Sequence, residues 1–84
     1  MKNFIEYLVK EIVKHPEEVS VSQEDVEGTQ IYTISVNNED MGLVIGKQGR
    51  TIRSIRDLTK AKAIKENVRI RIELHEDTLE QPQE

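Results

Sequence analysis

The stretch Val44-Ile45-Gly46-Lys47-Gln48-Gly49-Arg50-Thr51-Ile52-Arg53 joins the apolar end of one predicted helix to the basic start of another through a Gly-x-x-Gly turn. Glycines at that spacing let the chain reverse without Cβ clashes and let a polyanion come close to the main chain. The amides of Lys47, Gln48, Gly49 and Arg50 are expected to face outward at the start of the second helix. Unpaired N–H groups and the positive dipole end favour a phosphate there. Other phosphate-holding loops fail on spacing. A Walker loop ending at Gly46-Lys47 needs glycine at Met41 and Ser or Thr at Gln48, and one ending at Gly49 needs glycine at Val44 and lysine at Arg50. A dinucleotide fingerprint needs a glycine two residues before Gly46, where Val44 stands.

On the N-terminal side of this loop, Asn38 is read as the cap of a short helix. Glu39 and Asp40 fall in its first turn, and Met41, Leu43, Val44 and Ile45 carry it to the glycines. On the C-terminal side a longer helix begins near Arg50. Its wheel gathers Ile52, Ile55, Leu58 and Thr59 on a packing side and Arg53, Arg56 and Lys60 on another. Val68 to Leu74 alternates strictly, so a last strand should turn Val68, Ile70, Ile72 and Leu74 to the core.

Before the loop, Phe4, Ile5, Leu8, Val9, Ile12 and Val13 draw one apolar stripe along a helix from about residue 2 to 14, which Pro16 stops. Val19, Val21 and Val26 suggest a strand, Glu27-Gly28 a turn, and Ile31 to Val36 a β-branched strand with Tyr32, Ile34 and Val36 on one face. The order is helix, strand, strand, short helix, loop, helix, strand. A hairpin followed by a two-helix crossover makes an α+β fold with a three-stranded mixed sheet and helices on one face.

Composition narrows the function. Eighty-four residues hold one small domain, expected over residues 1–75, with an acidic, disordered tail over 76–84. The chain has no cysteine, so disulfides and thiolate metal sites are excluded. His15 and His75 lack ligand-spaced partners in sequence and read as surface residues, and no metal or cofactor is expected. Charges at Glu6, Lys10 and Glu11 interrupt any signal-peptide stretch, and no run is long enough to span a membrane. A soluble, cytoplasmic protein is expected.

The formal net charge of −4 hides a sharp partition. Residues 1–46 carry three basic and nine acidic side chains, residues 47–71 nine basic and two acidic, and residues 72–84 five acidic and none basic. The local field over 47–71 is therefore strongly positive in an acidic protein, and the local field steers a polyanion.

The stretch Ile45-Gly46-Lys47-Gln48-Gly49-Arg50-Thr51-Ile52 and the order αββααβ resemble the KH domain, in its bacterial-type (type II) arrangement, over about residues 2 to 75. With a single unit, the chain is similar to the small stand-alone bacterial KH proteins of the KhpA type. The resemblance implies single-stranded RNA held in a groove. Lys47 and Gln48, with the flanking Gly46 and Gly49, would clamp the backbone, and Arg50, Arg53, Arg56 and Lys60 would add phosphate contacts that do not read sequence. Ile45 and Ile52 would lie near the groove floor, with core packing at least as strong a reading as base contact for each, and the edge strand from Val68 to Ile72 would form the other wall. Two departures matter. Gln48 is neutral where many such loops are basic or small, and Phe4, Tyr7 and Tyr32 lie outside the loop region, so binding should be weak and permissive.

The leading expectation is a non-enzymatic RNA-binding module, an RNA chaperone or regulator. The alternative is a protein-interaction module that acts chiefly as a dimer, with itself or with another KH protein, or as a subunit of a larger RNA-binding complex. Ile64 motivates the alternative, since the wheel places it near Arg53 and away from the core stripe. Catalysis is poorly supported, because neither histidine has a catalytic companion nearby in sequence.

Overall fold

A computed structural model describes residues 1–75 of the chain. The expectation of a tail over 76–84 falls outside the described residues. Helix α1 spans Lys2–Lys10, strand β1 Ser20–Val26, strand β2 Thr29–Ser35, helix α2 Met41–Ile45, helix α3 Arg50–Glu66 and strand β3 Arg69–Leu74. Single 3-10 turns occupy Pro16–Glu18, Asn38–Asp40 and Lys47–Gly49.

The sheet order is β1-β2-β3, with β1 antiparallel and β3 parallel to the central β2. The β1–β2 connection is the two-residue turn Glu27-Gly28, with φ of 52° and 86°. Positive φ at both central residues matches the right-handed twist of a hairpin. Val21 stands opposite Ile34, and Tyr32 opposite Ile72, so period-2 alternation puts the buried strand residues on one face. The helices cover that face. Ile5 and Val9 of α1, Val44 of α2, and Ile52 and Ile55 of α3 close over Val21, Tyr32, Ile34 and Ile72 in one cluster. This is the α+β fold with a mixed three-stranded sheet that the element order implied.

Three local expectations are corrected. First, α1 ends at Lys10 rather than near residue 14, although Ile12 and Val13 still pack on the core. The ladder breaks at Ile12, whose amide turns to the Val9 carbonyl at 3.0 Å, and the exit beyond it is held by Asp40, which is fully buried. Its carboxylate accepts the Lys14 amide at 3.1 Å and the His15 amide at 2.9 Å, drawing both N–H groups away from helical carbonyls. Second, the cap before α2 is Asn37, not Asn38: Asn37 Oδ1 accepts the Glu39 amide at 2.7 Å. Asp40 keeps the first-turn place read for it and is also the acceptor that binds the exit of α1 to the entry of α2. Third, Leu58 is 53% exposed. The buried side of α3 is Ile52, Ile55, Thr59 and Ala63, and the Thr59 hydroxyl is satisfied by the Ile55 carbonyl at 2.7 Å. That i, i+3, i+4 track leaves Leu58 off the contact line.

Candidate nucleic-acid interface

The glycine loop is built by backbone conformation. Gly46 ends α2 at φ 78°, ψ 170°, Gln48 sits at φ 57°, ψ 28°, and Gly49 opens α3 at φ 76°, ψ 16°. The first of these is a region essentially restricted to glycine. A Cβ on Gly46 would also lie 2.6 Å from the Thr51 amide nitrogen, so glycine is required there on two counts. Around Gly49 a Cβ would meet nothing within 4 Å. That side of the loop is open.

Two of the four amides expected to face outward do not. The Gly49 N–H donates to the Gly46 carbonyl at 3.1 Å, and the Arg50 N–H donates to the Lys47 carbonyl. These bonds close the turn. Among the described residues none of these turn bonds engages the amides of Lys47 and Gln48, whose side chains are exposed. Helix α3 has no side-chain cap and no acidic residue in its first turn. Its positive end is therefore uncompensated, with Arg50 and Arg53 beside it.

From the loop, α3 runs along the edge strand β3, and the two enclose a cleft of about 450 Å³. Arg53, Arg56 and Lys60 line its helical wall, and Ile70, Arg71 and Ile72 line its strand wall. The expected basic face and edge strand thus meet. Arg56 spans the gap: its Nε–H and Nη2–H donate to the Ile72 carbonyl at 3.4 and 3.3 Å. That contact occupies part of its guanidinium and covers one outward-facing acceptor of the sheet edge. Ile52 is only 7% exposed and belongs to the core, whereas Ile45 is half-buried at the end of α2. Of the alternatives stated for the two isoleucines, packing describes Ile52. Arg71 had no assigned role, because strict alternation turns it away from the core face. It lines the cleft nonetheless, beside Glu73, to which its Nε forms an ion pair at 3.3 Å.

Two features lie away from the cleft. The fold brings ligand atoms of His15, Glu17 and Glu18 within 4.8 Å of one another, a grouping that sequence spacing alone did not suggest. These groups are engaged locally. His15 Nε2 lies 3.2 Å from Glu39 Oε1, and Glu18 accepts from Asn37 at 3.1 Å. The Glu39 hydrogen bond, with the charges of Asp40, Glu39 and Glu17 behind it, holds the His15 pKa above its ordinary value against an opposing desolvation. The other feature is Ile64, 73% exposed on α3, beside a hollow of about 480 Å³ that includes Ala63, Val68 and Ile70. No helix among the described residues is long and apolar enough to cross a membrane.

A β2-α2-α3-β3 crossover with a Gly-x-x-Gly turn between its helices, preceded by a helix and a hairpin strand, defines a KH domain of the αββααβ arrangement. The family model described as "KhpA/KhpB, KH domain" matches residues 2–74, and the chain belongs to that family. It is 43% identical over 77 residues to "RNA-binding protein KhpA" of Chlamydia pneumoniae, covering 92% of this chain and 99% of that protein. The protein of the same description from Thermotoga maritima is 54% identical over 61 residues, 73% of this chain and 81% of its own length. The one from Listeria monocytogenes is 43% identical over 76 residues, 90% of this chain and 100% of its own.

Proposed function

We propose that this chain binds single-stranded RNA, gripping the backbone with the Gly46–Gly49 loop and laying the strand along the α3–β3 cleft. The observation that carries this reading is the junction of an open, positive-φ turn with a basic cleft. The unengaged Lys47 and Gln48 amides stand at the uncapped end of α3, where Arg50, Arg53 and Lys60 continue the positive field. The relatives described as RNA-binding proteins support it.

In this arrangement a phosphate sits against the loop amides and the Lys47 ammonium. Successive phosphates meet Arg50, Arg53 and Lys60 without sequence information. Bases turn toward Ile45, Ile70 and Ile72, while Ile52 holds the loop from beneath. Arg56 joins the phosphate contacts with the donors that Ile72 leaves over. The only aromatic residues are Phe4, Tyr7 and Tyr32, on α1 and β2, and none lines the cleft, so no base is stacked on a ring and affinity is modest and permissive. The role is non-enzymatic and cytoplasmic, that of an RNA chaperone or regulator.

A second reading rests on Ile64. An isoleucine exposed to 73% next to a hollow that Ala63, Val68 and Ile70 line together with Lys60 and Arg69 suits contact with a second copy or with another KH protein. Joined units would raise RNA affinity through effective concentration. Crosslinking in cells, with recovery of both RNA and protein, separates the two. RNA joined to peptides spanning residues 45–60 supports the first reading, and protein recovered without RNA refutes it.

A further inference from the structure

The strand wall of the cleft carries more polar groups than its side chains suggest. A parallel edge strand bonds to its neighbour through every second residue, and the residues between turn their N–H and C=O groups outward. Just past β3 the His75 amide donates to the Ile34 carbonyl of β2 at 2.8 Å. The odd-numbered residues of β3 therefore face β2, and Ile70 and Ile72 turn their backbone groups to the open edge. The Ile72 carbonyl follows that direction, because it is the acceptor that Arg56 reaches from α3. Both isoleucines line the cleft.

Arg56 stands apart from the other cations of the helical wall. Arg53 and Lys60 line the same cleft, yet among the described residues neither bonds to β3. At 3.4 and 3.3 Å the two Arg56 bonds are longer than usual, so their main consequence is occupancy rather than stability. A backbone carbonyl recognises a base through a donor on that base. Cytosine, adenine and guanine carry exocyclic amino donors, whereas uracil presents an oxo group where cytosine has its amino group. An open Ile72 carbonyl would therefore favour amino-bearing bases over uracil. Covered by a guanidinium, it offers nothing to either. RNA lying over the cleft also removes water from this edge, where a bare acceptor is costly, and that favours keeping the guanidinium in place. The N–H donors that the carbonyl does not engage are left for phosphate, which every nucleotide carries. An acceptor that discriminates is exchanged for a cation that does not.

We propose that Arg56 sets the base selectivity of the cleft by withholding the Ile72 carbonyl from bound bases, so that the strand wall takes cytosine and uracil alike; this rests on the RNA reading above. Arg56 is then a specificity-determining residue that acts by covering a backbone group. Its neighbours Arg53 and Lys60 add affinity alone.

The test uses the full chain and two substitutions on the exposed face of α3. Arg56→Ala uncovers the carbonyl, and Arg53→Ala removes the same charge from the same wall without touching it. Alanine is the best helix former, so both variants should keep the parent's circular dichroism. Oligocytidylate and oligouridylate of equal length are titrated at low salt and followed by NMR, which still measures millimolar binding. The parent should bind the two within about twofold of each other. Arg53→Ala should weaken both and leave their ratio unchanged. Arg56→Ala should favour oligocytidylate by at least about threefold, within the range one neutral hydrogen bond supplies. Without RNA, the carbonyl carbon of Ile72, read through the Glu73 amide, should shift in Arg56→Ala and stay in place in Arg53→Ala. A parent that already prefers oligocytidylate threefold, an Arg56→Ala ratio equal to the parent's, or the same change of ratio in both variants overturns the proposal. An Ile72 carbonyl shift unaffected by Arg56→Ala overturns it as well. A parent that binds neither oligonucleotide refutes the RNA reading itself, a result distinct from binding with an unaltered ratio.

Discussion

The two glycines of the loop are predicted to be unequal, and alanine at each measures the difference. At Gly49 (φ 76°, ψ 16°) an L residue enters the left-handed helical region, a cost of about 1–2 kcal/mol. The new Cβ meets nothing within 4 Å. Loss of glycine's freedom in the unfolded chain returns about 0.5 kcal/mol or more, leaving a net loss near 1 kcal/mol. At Gly46 (φ 78°, ψ 170°) the conformation itself costs a non-glycine residue about 1–3 kcal/mol. The Cβ also falls 2.6 Å from the Thr51 nitrogen, a backbone atom at the start of α3 that cannot swing aside. Relieving such an overlap costs about 1–3 kcal/mol more, so Gly46→Ala should lose about 3 kcal/mol or more. For a chain of this size each kcal/mol moves the melting temperature by about 4–8 °C. Urea and thermal unfolding followed by far-ultraviolet circular dichroism should therefore separate the variants by at least about 8 °C. Equal losses, or a greater loss at Gly49, would refute the backbone geometry assigned to the loop.

Other expectations address the supports of the site. Asp40→Ala removes a buried carboxylate that accepts two amides, and hydrogen bonds to charged groups contribute about 1.5–3 kcal/mol each. Urea unfolding should show a loss of about 3 kcal/mol or more, and a loss below about 1 kcal/mol means that the clasp between α1 and α2 is not formed. Ile64→Asp should abolish self-association in sedimentation runs while leaving the fold intact; an unchanged dimer, or a monomeric parent, removes Ile64 from any interface. The His15 pKa is raised chiefly by its hydrogen bond to Glu39. Its stabilising contribution is therefore complete below pH 6.5 and fades as pH climbs through the raised folded value. An NMR titration should place His15 above the ordinary histidine value in the parent and lower in Glu39→Gln; identical values in the two proteins contradict the pairing.

Most of the fold could be read from periodicity because the stabilising contacts are themselves periodic. The alternation of Val68 to Leu74 and the β-branched run around Tyr32 and Ile34 identified strands whose core-facing residues are buried or half-buried. Of the first stripe, Ile5, Leu8, Val9, Ile12 and Val13 do pack on the core, whereas Phe4 does not join it and the helix boundary was misplaced. The ladder breaks at Ile12, and the segment beyond it is held by Asp40, roughly two dozen residues further along the chain; no local pattern reveals that a carboxylate will be buried beneath two amides. Leu58 failed for a related reason: a wheel gives direction, whereas burial depends on which neighbour stands in that direction. At the site, the glycine spacing located the turn and the charge run located the basic wall. What remained hidden was tertiary: the closure of the Gly49 and Arg50 amides within the turn, the reach of Arg56 to the Ile72 carbonyl, and the entry of Arg71 into the cleft from the strand.

The central claim is that the glycine loop holds RNA, and the combined variant Lys47→Asp, Gln48→Asp tests it most directly. Both side chains are exposed, and aspartate tolerates the left-handed conformation that Gln48 adopts, so the turn should still form. Two carboxylates then stand where a phosphate must sit. Fluorescence anisotropy with a single-stranded oligoribonucleotide should show affinity reduced at least about tenfold, roughly 1.4 kcal/mol, with circular dichroism and melting temperature nearly unchanged. Binding by the parent should weaken with salt at a log–log slope of about −0.7 per phosphate neutralised. A folded double variant that binds RNA as tightly as the parent would show that the loop is only a turn, and would contradict the account at its centre.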